Sequence, residues 1–297
     1  MRPIGIAGLQ LQLGKGDNSD RIVAEVAAVK ARLPWVDMVV LGELCLFGAS
    51  TANAQPLPGE AEAKMCEAAR AAGVWLVPGS LFEADGGRVY NTAPVIDPTG
   101  QVVARYRKIY PFLPYEQGVA PGSEFVVFDV PGVGRFGMSI CYDMWFPETT
   151  RTLVWMGAEV IIHPGMTNTI DREAELAIAR ASAVTNQVFF VDINTAGSLG
   201  VGLSGVFGPG GEVIHQAGAG HEVIAVELDL DQVTRVRERG WHGLGQPLKS
   251  LRDNPIEFPP YRDGFSASPT FSELGPLQKP GSERPTAPGV RTIKTQA

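Results

Sequence analysis

Cys141 is the residue whose type and position point most directly to chemistry. It lies in the segment RFGMSICYDMWFPE, where an apolar stretch typical of a β-strand ends and a turn leads into a helix. A thiolate in such a place is a strong nucleophile, and the backbone N–H of Tyr142 can stabilise a developing oxyanion. The alternative is a buried, inert cysteine. If Cys141 is activated, we expect a low thiol pKa and selective labelling by iodoacetamide over Cys45 and Cys66.

Two further charged side chains follow predicted strands. Glu43 ends the segment VDMVVLGE, and a carboxylate at the end of a buried strand is partly desolvated, which raises its pKa towards that of a general base. Lys108 ends ARYRK beside aromatic residues, where an ammonium can stabilise an oxyanion. Glu116, in PYEQG, can orient this lysine or a substrate. Taken alone, each of the three also has an ordinary explanation as a surface charge.

The combination of these residues is harder to explain by folding alone. One carboxylate, one ammonium and one thiol each end a predicted apolar strand. If these strands share one sheet edge, Glu43, Lys108 and Cys141 converge in one pocket, as nucleophilic catalysis requires.

The rest of the pattern alternates helices with strands and tight turns. Asp85-Gly86-Gly87 supplies the positive-φ residues of a hairpin turn, and hairpins are incompatible with an all-parallel sheet. Residues 108–124 have no periodicity, and a loop of this length is more often functional than accidental. The pattern predicts an α/β layered sandwich with mixed sheets. Helices are predicted at 17–33, 60–72, 147–156, 171–185 (with an N-terminal Asp cap) and 230–239, and strands at 4–13, 36–41, 74–82, 88–96, 102–107, 125–130, 135–140, 160–162, 188–193, 205–207, 213–215 and 223–228.

The composition divides the chain and excludes several classes of function. Residues 1–254 are predicted to form one large domain, whereas 255–297 are rich in Pro, Ser, Gly and Thr and form either a disordered tail or an arm that orders against a partner subunit. A net charge of −7 without a basic block argues against binding to nucleic acid or an anionic membrane. Three cysteines, no signal peptide and no membrane-length apolar run favour a cytoplasmic protein, and no motif favours a metal site.

Around Glu43, Lys108 and Cys141 the chain resembles the nitrilase (carbon–nitrogen hydrolase) superfamily. The segments LGELCLFG, YRKIYPF and GMSICYDMWFPE carry the resemblance, in the order glutamate, lysine, cysteine, and it covers roughly residues 3–230. Glu116 and the later segment RASAVTNQVFFVDINTAG also match. The resemblance implies a four-layer αββα sandwich with two mixed β-sheets, which assembles as a homodimer or a larger homo-oligomer.

The resemblance also implies a mechanism that uses no cofactor or metal. Glu43 takes the thiol proton of Cys141, which attacks the carbon of a small amide. Lys108 and the Tyr142 N–H stabilise the tetrahedral intermediate, ammonia leaves, and water hydrolyses the thioester. Glu116 holds the substrate and the lysine in place.

Some positions depart from the family pattern and leave the substrate open. Gly42 stands where the family often has proline, and Trp145 stands where it often has arginine. Trp145 and His163 lie where family members commonly shape the substrate pocket. Cysteine followed by Tyr-Asp is more similar to the amidase and ureidase branches than to true nitrilases, so amide hydrolysis is the prediction.

Other interpretations remain open at this point. An N-carbamoyl hydrolase would bind the carboxylate of a ureido acid with a basic residue, for which Arg172 is a candidate unless it only caps a solvated helix. A nitrilase would use the same Glu-Lys-Cys set. Residues 200–205 match the dinucleotide-binding pattern G-x-G-x-x-G, but a strand is predicted to follow where a helix is needed. A non-catalytic binding protein on this scaffold would not need an activated thiol.

Overall fold

The computed structural model describes residues 1–279 and divides the chain into two units. The larger unit comprises Met1–Pro111 and Gly118–Ile256. The smaller unit groups Phe112–Gln117 with the C-terminal stretch that begins at Glu257. Short helices form in the described part of that stretch, while residues 280–297 of the predicted tail or arm lie outside the described residues.

The strands and helices alternate along the chain, as the sequence predicts. The strands are β1 (Pro3–Gln10), β2 (Gln12–Leu13), β3 (Met38–Leu41), β4 (Trp75–Val77), β5 (Leu81–Asp85), β6 (Arg88–Ile96), β7 (Val102–Arg107), β8 (Val127–Val130), β9 (Gly134–Met138), β10 (Val160–Gly165), β11 (Phe189–Asn194), β12 (Ala196–Gly197), β13 (Gly205–Phe207), β14 (Val213–Gln216) and β15 (Glu222–Asp229). The helices are α1 (Ser19–Arg32), α2 (Glu60–Ala72), α3 (Pro147–Trp155), α4 (Arg172–Asn186), α5 (Asp231–Arg239), α6 (Pro247–Asp253), α7 (Pro259–Asp263) and α8 (Pro269–Ser272).

Two mixed sheets form the centre of the larger unit. The first sheet has the order β15-β1-β3-β4-β6-β5, with β7 paired to β6, and the second has the order β14-β13-β11-β10-β9-β8. In each sheet three neighbouring strands are parallel, β1-β3-β4 in the first and β9-β10-β11 in the second, and the outer strands are antiparallel. This arrangement confirms the predicted mixed α/β class.

The alternation of side-chain direction along the strands explains why the two sheets and the helices form four layers. Ile4 and Ile6 of β1 point into the core shared with the second sheet, whereas Ala7 and Leu9 pack against α1 and α2. The second sheet behaves in the same way, because its other face packs against α3 and α4. Successive strand residues face opposite sides, so both sheets are apolar on both faces. The layers are therefore helix, sheet, sheet and helix.

Three local predictions are wrong. The strand predicted at 4–13 is two strands, β1 and β2, and β2 pairs with β12 in a separate two-stranded sheet. The strand predicted at 74–82 is two strands, β4 and β5, because Gly79 has a φ of +76° and approaches the end of β3 so closely that a Cβ would lie 1.9 Å from the carbonyl oxygen of Gly42. Asp171 does not cap α4 through its side chain, which accepts a hydrogen bond from the Thr169 hydroxyl instead. Among the described residues no helix is both long and apolar enough to cross a membrane.

Candidate active site

The carboxylate of Glu43 lies at the end of β3, where both sheets hold it. Its backbone N–H donates to the carbonyl of Gly165 at the end of β10, with an N···O distance of 3.0 Å. The side chain is only 2 % exposed. Its Oε1 accepts hydrogen bonds from Asn91 Nδ2 at 2.8 Å and from Lys108 Nζ at 2.7 Å. The position of the carboxylate is thus fixed before any substrate arrives.

Lys108 follows β7, and its ammonium is 1 % exposed. Its backbone N–H donates to the carbonyl of Asn91 at 2.8 Å, so Asn91 holds both the lysine backbone and the Glu43 carboxylate. A buried ammonium costs several kcal/mol unless an opposite charge compensates it. Glu43 supplies that charge, and the two form a buried ion pair at the ends of two strands of the first sheet.

Cys141 begins a short 3₁₀ helix, Cys141–Trp145, that follows β9. Its φ of +45° lies in the left-handed region, which is uncommon for a non-glycine residue and frequent at functional sites. Asp143 fixes this turn, because its carboxylate accepts the backbone N–H of Ile140 at 2.9 Å, the backbone N–H of Tyr110 at 2.9 Å and the hydroxyl of Tyr106 at 2.6 Å. Burial raises the pKa of Asp143 to about 6, although these donors oppose the shift.

The sequence suggested that Glu43, Lys108 and Cys141 share one sheet edge. The structure shows that they do not. Glu43 and Lys108 extend from strands of the first sheet, whereas Cys141 extends from a strand of the second. The stacking of the sheets brings the strand ends together. Burial and the nearby Glu43 carboxylate raise the pKa of the Cys141 thiol well above its usual value, and the nearby Lys108 ammonium opposes this shift.

The expected low pKa of Cys141 is therefore wrong for the resting structure. The thiol is protonated there, and a base must take its proton for the sulfur to become a nucleophile. Burial also raises the thiol pKa of Cys45 and of Cys66. Cys141 is distinguished by the buried ion pair of Glu43 and Lys108 that acts on its thiol.

The predicted substrate-binding residues lie in two different environments. Tyr142 and Trp145 share the 3₁₀ turn of Cys141, with ring centroids 6.2 Å apart, and Trp145 is partly exposed. His163 is fully buried in β10, where Ser139 Oγ lies 2.7 Å from its Nδ1. Burial lowers the pKa of His163 well below its usual value, so the ring is neutral.

Glu116 lies in the segment Phe112–Gln117, which groups with the smaller unit. Its carboxylate accepts the backbone N–H of Phe112, and its own backbone N–H donates to the carbonyl of Phe112 at 2.9 Å. These two contacts close a tight turn around Glu116. Its predicted role towards substrate and lysine stays a prediction.

Arg172 is neither a cap on a solvated helix nor available for a substrate carboxylate. The side chain is 2 % exposed and forms ion pairs with Glu175 at 3.1 Å and Asp192 at 2.6 Å. The sequence shows only that Arg172 begins a helix, and the buried partner on β11 becomes visible only when the helix packs on the second sheet. This observation removes the basic residue that was offered for a ureido acid.

Sequence reasoning missed Asn91, Asp143 and Tyr106, which hold the reactive groups. Asn91 is a polar residue in the largely buried strand β6, and Asp143 follows Cys141 by two residues. These positions could have marked both residues as candidates, but their spacing does not show what they contact. The G-x-G-x-x-G pattern at 200–205 leads into strand β13, which removes the dinucleotide-binding interpretation because the required helix N-terminus is absent there.

The described residues thus bring a carboxylate, an ammonium and a thiol together in the larger unit. Within residues 1–279, no group of three His, Cys, Asp or Glu side chains is arranged to hold a metal ion. A carboxylate fixed near a protonated thiol can accept its proton, and an adjacent ammonium can stabilise an oxyanion.

Comparisons with known proteins show the family to which the chain belongs. The carbon–nitrogen hydrolase family model matches residues 6–238. The omega-amidase NIT2 of Homo sapiens is 32 % identical over 261 residues, which cover 80 % of this chain and 93 % of the relative, and the Danio rerio omega-amidase NIT2 has the same identity and coverage.

Solved structures share the fold. Saccharomyces cerevisiae Nit3, a member of branch 10 of the nitrilase superfamily, has a TM-score of 0.74 at 28 % identity over 80 % of this chain and 94 % of that chain. A variant of the Nesterenkonia sp. AN1 amidase in complex with butyramide has a TM-score of 0.70 at 25 % identity over 79 % and 94 % of the two chains. The chain therefore belongs to the carbon–nitrogen hydrolase family, in the amidase-like branch of the nitrilase superfamily, and is an enzyme that hydrolyses a carbon–nitrogen bond.

Proposed function

We propose that this enzyme hydrolyses a small linear carboxamide to a carboxylate and ammonia through a thioester on Cys141. The observation that carries the proposal is the buried ion pair of Glu43 and Lys108, 2.7 Å apart, whose charges act on the Cys141 thiol. Relatives named omega-amidase and a neighbour that binds butyramide support an amide as the substrate class. In another variant of that neighbour, acrylamide is added at the active-site cysteine.

In the first half of the reaction Glu43 accepts the proton of the Cys141 thiol, and the sulfur attacks the amide carbon. The carbonyl oxygen becomes an oxyanion, which Lys108 and the backbone N–H of Tyr142 stabilise. Glu43 returns the proton to the amide nitrogen, the C–N bond breaks, and ammonia leaves. The acyl group remains on the sulfur as a thioester.

In the second half, Glu43 takes a proton from a water molecule, which attacks the thioester carbon. The oxyanion is stabilised by the same two donors, the C–S bond breaks, and the thiol regains its proton. One base thus serves both halves, because each half begins with a proton removed and ends with a proton returned. The fixed position of Glu43 suits this double use.

Three further residues have proposed roles in substrate binding. Trp145 and His163 shape the acyl pocket, and Glu116 keeps the role that the family resemblance implies. The partly exposed ring of Trp145 on the nucleophile's own turn supports its role. The imidazole of His163 is neutral and buried, which favours an uncharged acyl group over a charged one in the substrate.

The test is a substrate screen scored by ammonia release, with short aliphatic amides, aryl amides, ureido acids and nitriles. We expect turnover of amides, and none in Cys141→Ala or Glu43→Gln, both of which should keep the far-ultraviolet circular dichroism of the wild type. Release of carbon dioxide from ureido acids would instead identify an N-carbamoyl hydrolase. Turnover of the nitrile but not of the matching amide would identify a nitrilase. Retained activity in either variant would overturn that residue's role.

We also propose that the enzyme is a homodimer or larger homo-oligomer and works in the cytoplasm. Two apolar side chains of the larger unit support assembly, because Trp155 is 84 % and Ile170 is 96 % exposed. Contiguous exposed apolar patches mark surfaces at which proteins associate, and we propose that these two side chains belong to such a surface. Light scattering that gives the mass of one chain would contradict the proposed assembly.

A further inference from the structure

A series of polar and charged side chains leads from the interior of the second sheet to the sulfur of Cys141. Thr167 Oγ1 lies 3.9 Å from Cys141 Sγ, within reach of a weak hydrogen bond to sulfur. The Thr167 hydroxyl is 2.9 Å from Glu175 Oε1. Arg172 contacts Glu175 Oε2 at 3.1 Å and Asp192 Oδ2 at 2.6 Å. The proposed mechanism uses none of the four residues behind the sulfur.

The backbone around Thr167 is fixed from two sides. Its N–H donates to Asn194 Oδ1 at 2.8 Å. Its carbonyl accepts Asn194 Nδ2 at 3.0 Å and the backbone N–H of Val201 at 2.9 Å. The Thr167 side chain therefore has a defined position relative to the sulfur.

Stability does not account for this series. Thr167, Glu175, Arg172 and Asp192 are all buried. Well-packed apolar side chains of the same volume are often as stabilising as a buried ion pair, or more so. The buried charges therefore need another explanation. The series to which they belong ends at the sulfur of Cys141.

The direction of the hydrogen bonds follows from the chemistry of the donors. Glu175 forms an ion pair with Arg172, and a carboxylate in such a pair can only accept hydrogen bonds. Thr167 therefore gives its hydroxyl proton to Glu175. The Thr167 oxygen then has only lone pairs to offer to the sulfur, so it accepts the S–H of Cys141.

We propose that Thr167, oriented by Glu175, is a positioning residue that holds the Cys141 sulfur as a thiol until Glu43 removes its proton. The proposal rests on the proposed role of Cys141 as the nucleophile. Once the proton has left, the sulfur faces an oxygen that has no hydrogen to give. The contact then no longer favours the resting position, and the thiolate is free to move towards the substrate carbon.

Several groups face the sulfur and bear on its titration. Glu43 and Glu175 favour the thiol, whereas Lys108 and the backbone N–H of Met166 favour the thiolate. Removing Glu175 therefore acts in two ways, through its charge and through the Thr167 hydroxyl. The experiment must separate these two effects.

The experiment measures how fast methyl methanethiosulfonate modifies Cys141 in the full chain as a function of pH, read by mass spectrometry. This reagent carries no amide and reports the thiolate. In Glu175→Gln, the amide nitrogen can donate a hydrogen bond to the Thr167 oxygen. The Thr167 hydroxyl can then donate its own hydrogen to the sulfur and stabilise the thiolate. We expect the thiol pKa to fall by about one unit and modification at pH 7 to be about tenfold faster.

Two matched variants isolate the hydroxyl. Glu173→Gln removes the same charge from the exposed side of the first turn of α4 and should leave the profile unchanged. Combining Glu175→Gln with Thr167→Val should reduce the acceleration to about threefold or less, because only the charge effect remains. Equal profiles for Glu175→Gln and Glu173→Gln would overturn the proposal. A full tenfold effect in the Thr167→Val background would also overturn it.

Amide turnover gives a second readout. Thr167→Val should lower kcat about tenfold with KM unchanged, and Thr167→Ser should recover kcat to within about twofold. Thr185→Val, an exposed position on α4, is the control. If Thr167→Val does not fold, the modification profiles of Thr167→Ser and Glu175→Gln still decide the proposal. Modification of Cys141 is independent of turnover, so the result stands even where Cys141→Ala retains activity and the proposed function fails.

Discussion

The two sheets hold their contributions to the candidate site in different ways. The first sheet holds two full charges, Glu43 and Lys108, which are buried and compensate each other at 2.7 Å. The second sheet holds a thiol on a turn that contains Asp143, whose carboxylate accepts the backbone N–H of Ile140 beside the thiol and that of Tyr110 after β7. Behind that thiol lies the series Thr167, Glu175, Arg172 and Asp192.

This difference predicts how each side fails. In the first sheet a single substitution leaves a buried charge without compensation, so stability and activity are lost together. In the second sheet the sulfur is uncharged at rest, so Cys141 and the uncharged Thr167 can be altered with smaller effects on stability, whereas Glu175 also compensates the buried Arg172. Variants that separate stability from activity therefore distinguish the two sides.

The largest effect is expected from Lys108→Met. The substitution keeps the length of the side chain and leaves the Glu43 carboxylate buried without its cation. Breaking a buried ion pair in this way destabilises a protein by about 3–5 kcal/mol. Loss of the oxyanion donor lowers kcat about a thousandfold or more. Unfolding in urea at fixed protein concentration and ammonia release measure the two effects.

The double variant Glu43→Gln with Lys108→Met is the control for this prediction. It removes both charges, so we expect most of the lost free energy of unfolding to return while activity stays absent. A Lys108→Met enzyme as stable as the wild type would show that the pair is not the compensated charge pair described above.

Asn91→Leu should have the next largest effect. It removes the hydrogen bond to Glu43 Oε1 and is expected to lower kcat about 10- to 100-fold and stability by about 1.5–3 kcal/mol. Thr92→Val is the matched control, because the neighbouring Thr92 is equally buried and donates to Glu83. We expect that variant to lose stability and keep kcat. An equal fall of kcat in both variants would contradict a specific role for Asn91.

The side of the site that the sequence predicts best is the first sheet. Glu43 follows the apolar strand β3, so a change from apolar to charged residues marks it directly, whereas Lys108 is marked by its position at the end of β7. The two-sheet origin of the site could not be predicted, because strand patterns give the faces of a strand and not its neighbours. The break between β4 and β5 was missed for the same reason, since the close approach of Gly79 to Gly42 is a contact between distant residues.

The second sheet is harder to predict because its supporting residues resemble ordinary ones. Thr167 lies in a loop, and Glu175 occupies the first turn of α4, where acidic residues are common for their effect on the helix dipole. Arg172 was misinterpreted as a free or solvated cation for the same reason. Each of these side chains has a buried partner, so none of them is the solvated group that its position in the sequence suggests. A local sequence pattern does not show burial against another element.

A smaller effect, confined to pH, is expected from Tyr106→Phe. The pKa of Asp143 is about 6, and the Tyr106 hydroxyl lowers it. Only the ionised carboxylate accepts all three of its hydrogen bonds, so we expect kcat to rise with pH through about 6. Without the hydroxyl this acid limb should move up by about one unit, with kcat at pH 8 within about twofold of the wild type.

Tyr110→Phe is the control, because Tyr110 bonds to Asp143 through its backbone and the substitution keeps that bond. The acid limb should not move in this variant. Stability has the opposite dependence on pH. The pKa of Asp143 in the folded protein lies above its ordinary value of 3.8, so the group favours folding below about pH 3.8, and this contribution is lost as pH rises through about 6. An acid limb that shifts equally in both variants would contradict the role of Asp143.

The smallest effect is expected from Asp129→Asn, on the outside of the second sheet. Asp129 of β8 bonds to Arg135 of β9, the strand that leads to Cys141, but both side chains are exposed. Water and salt screen such a pair, so removing it should change neither kcat nor Tm measurably. If the nucleophile is held from inside the fold by Asp143 and Thr167, a charge on the outer surface of its own strand is irrelevant. A fall in kcat with unchanged Tm would therefore show that the position of the sulfur also depends on the strand's surface, and the contrast between the two sheets would have to be redrawn.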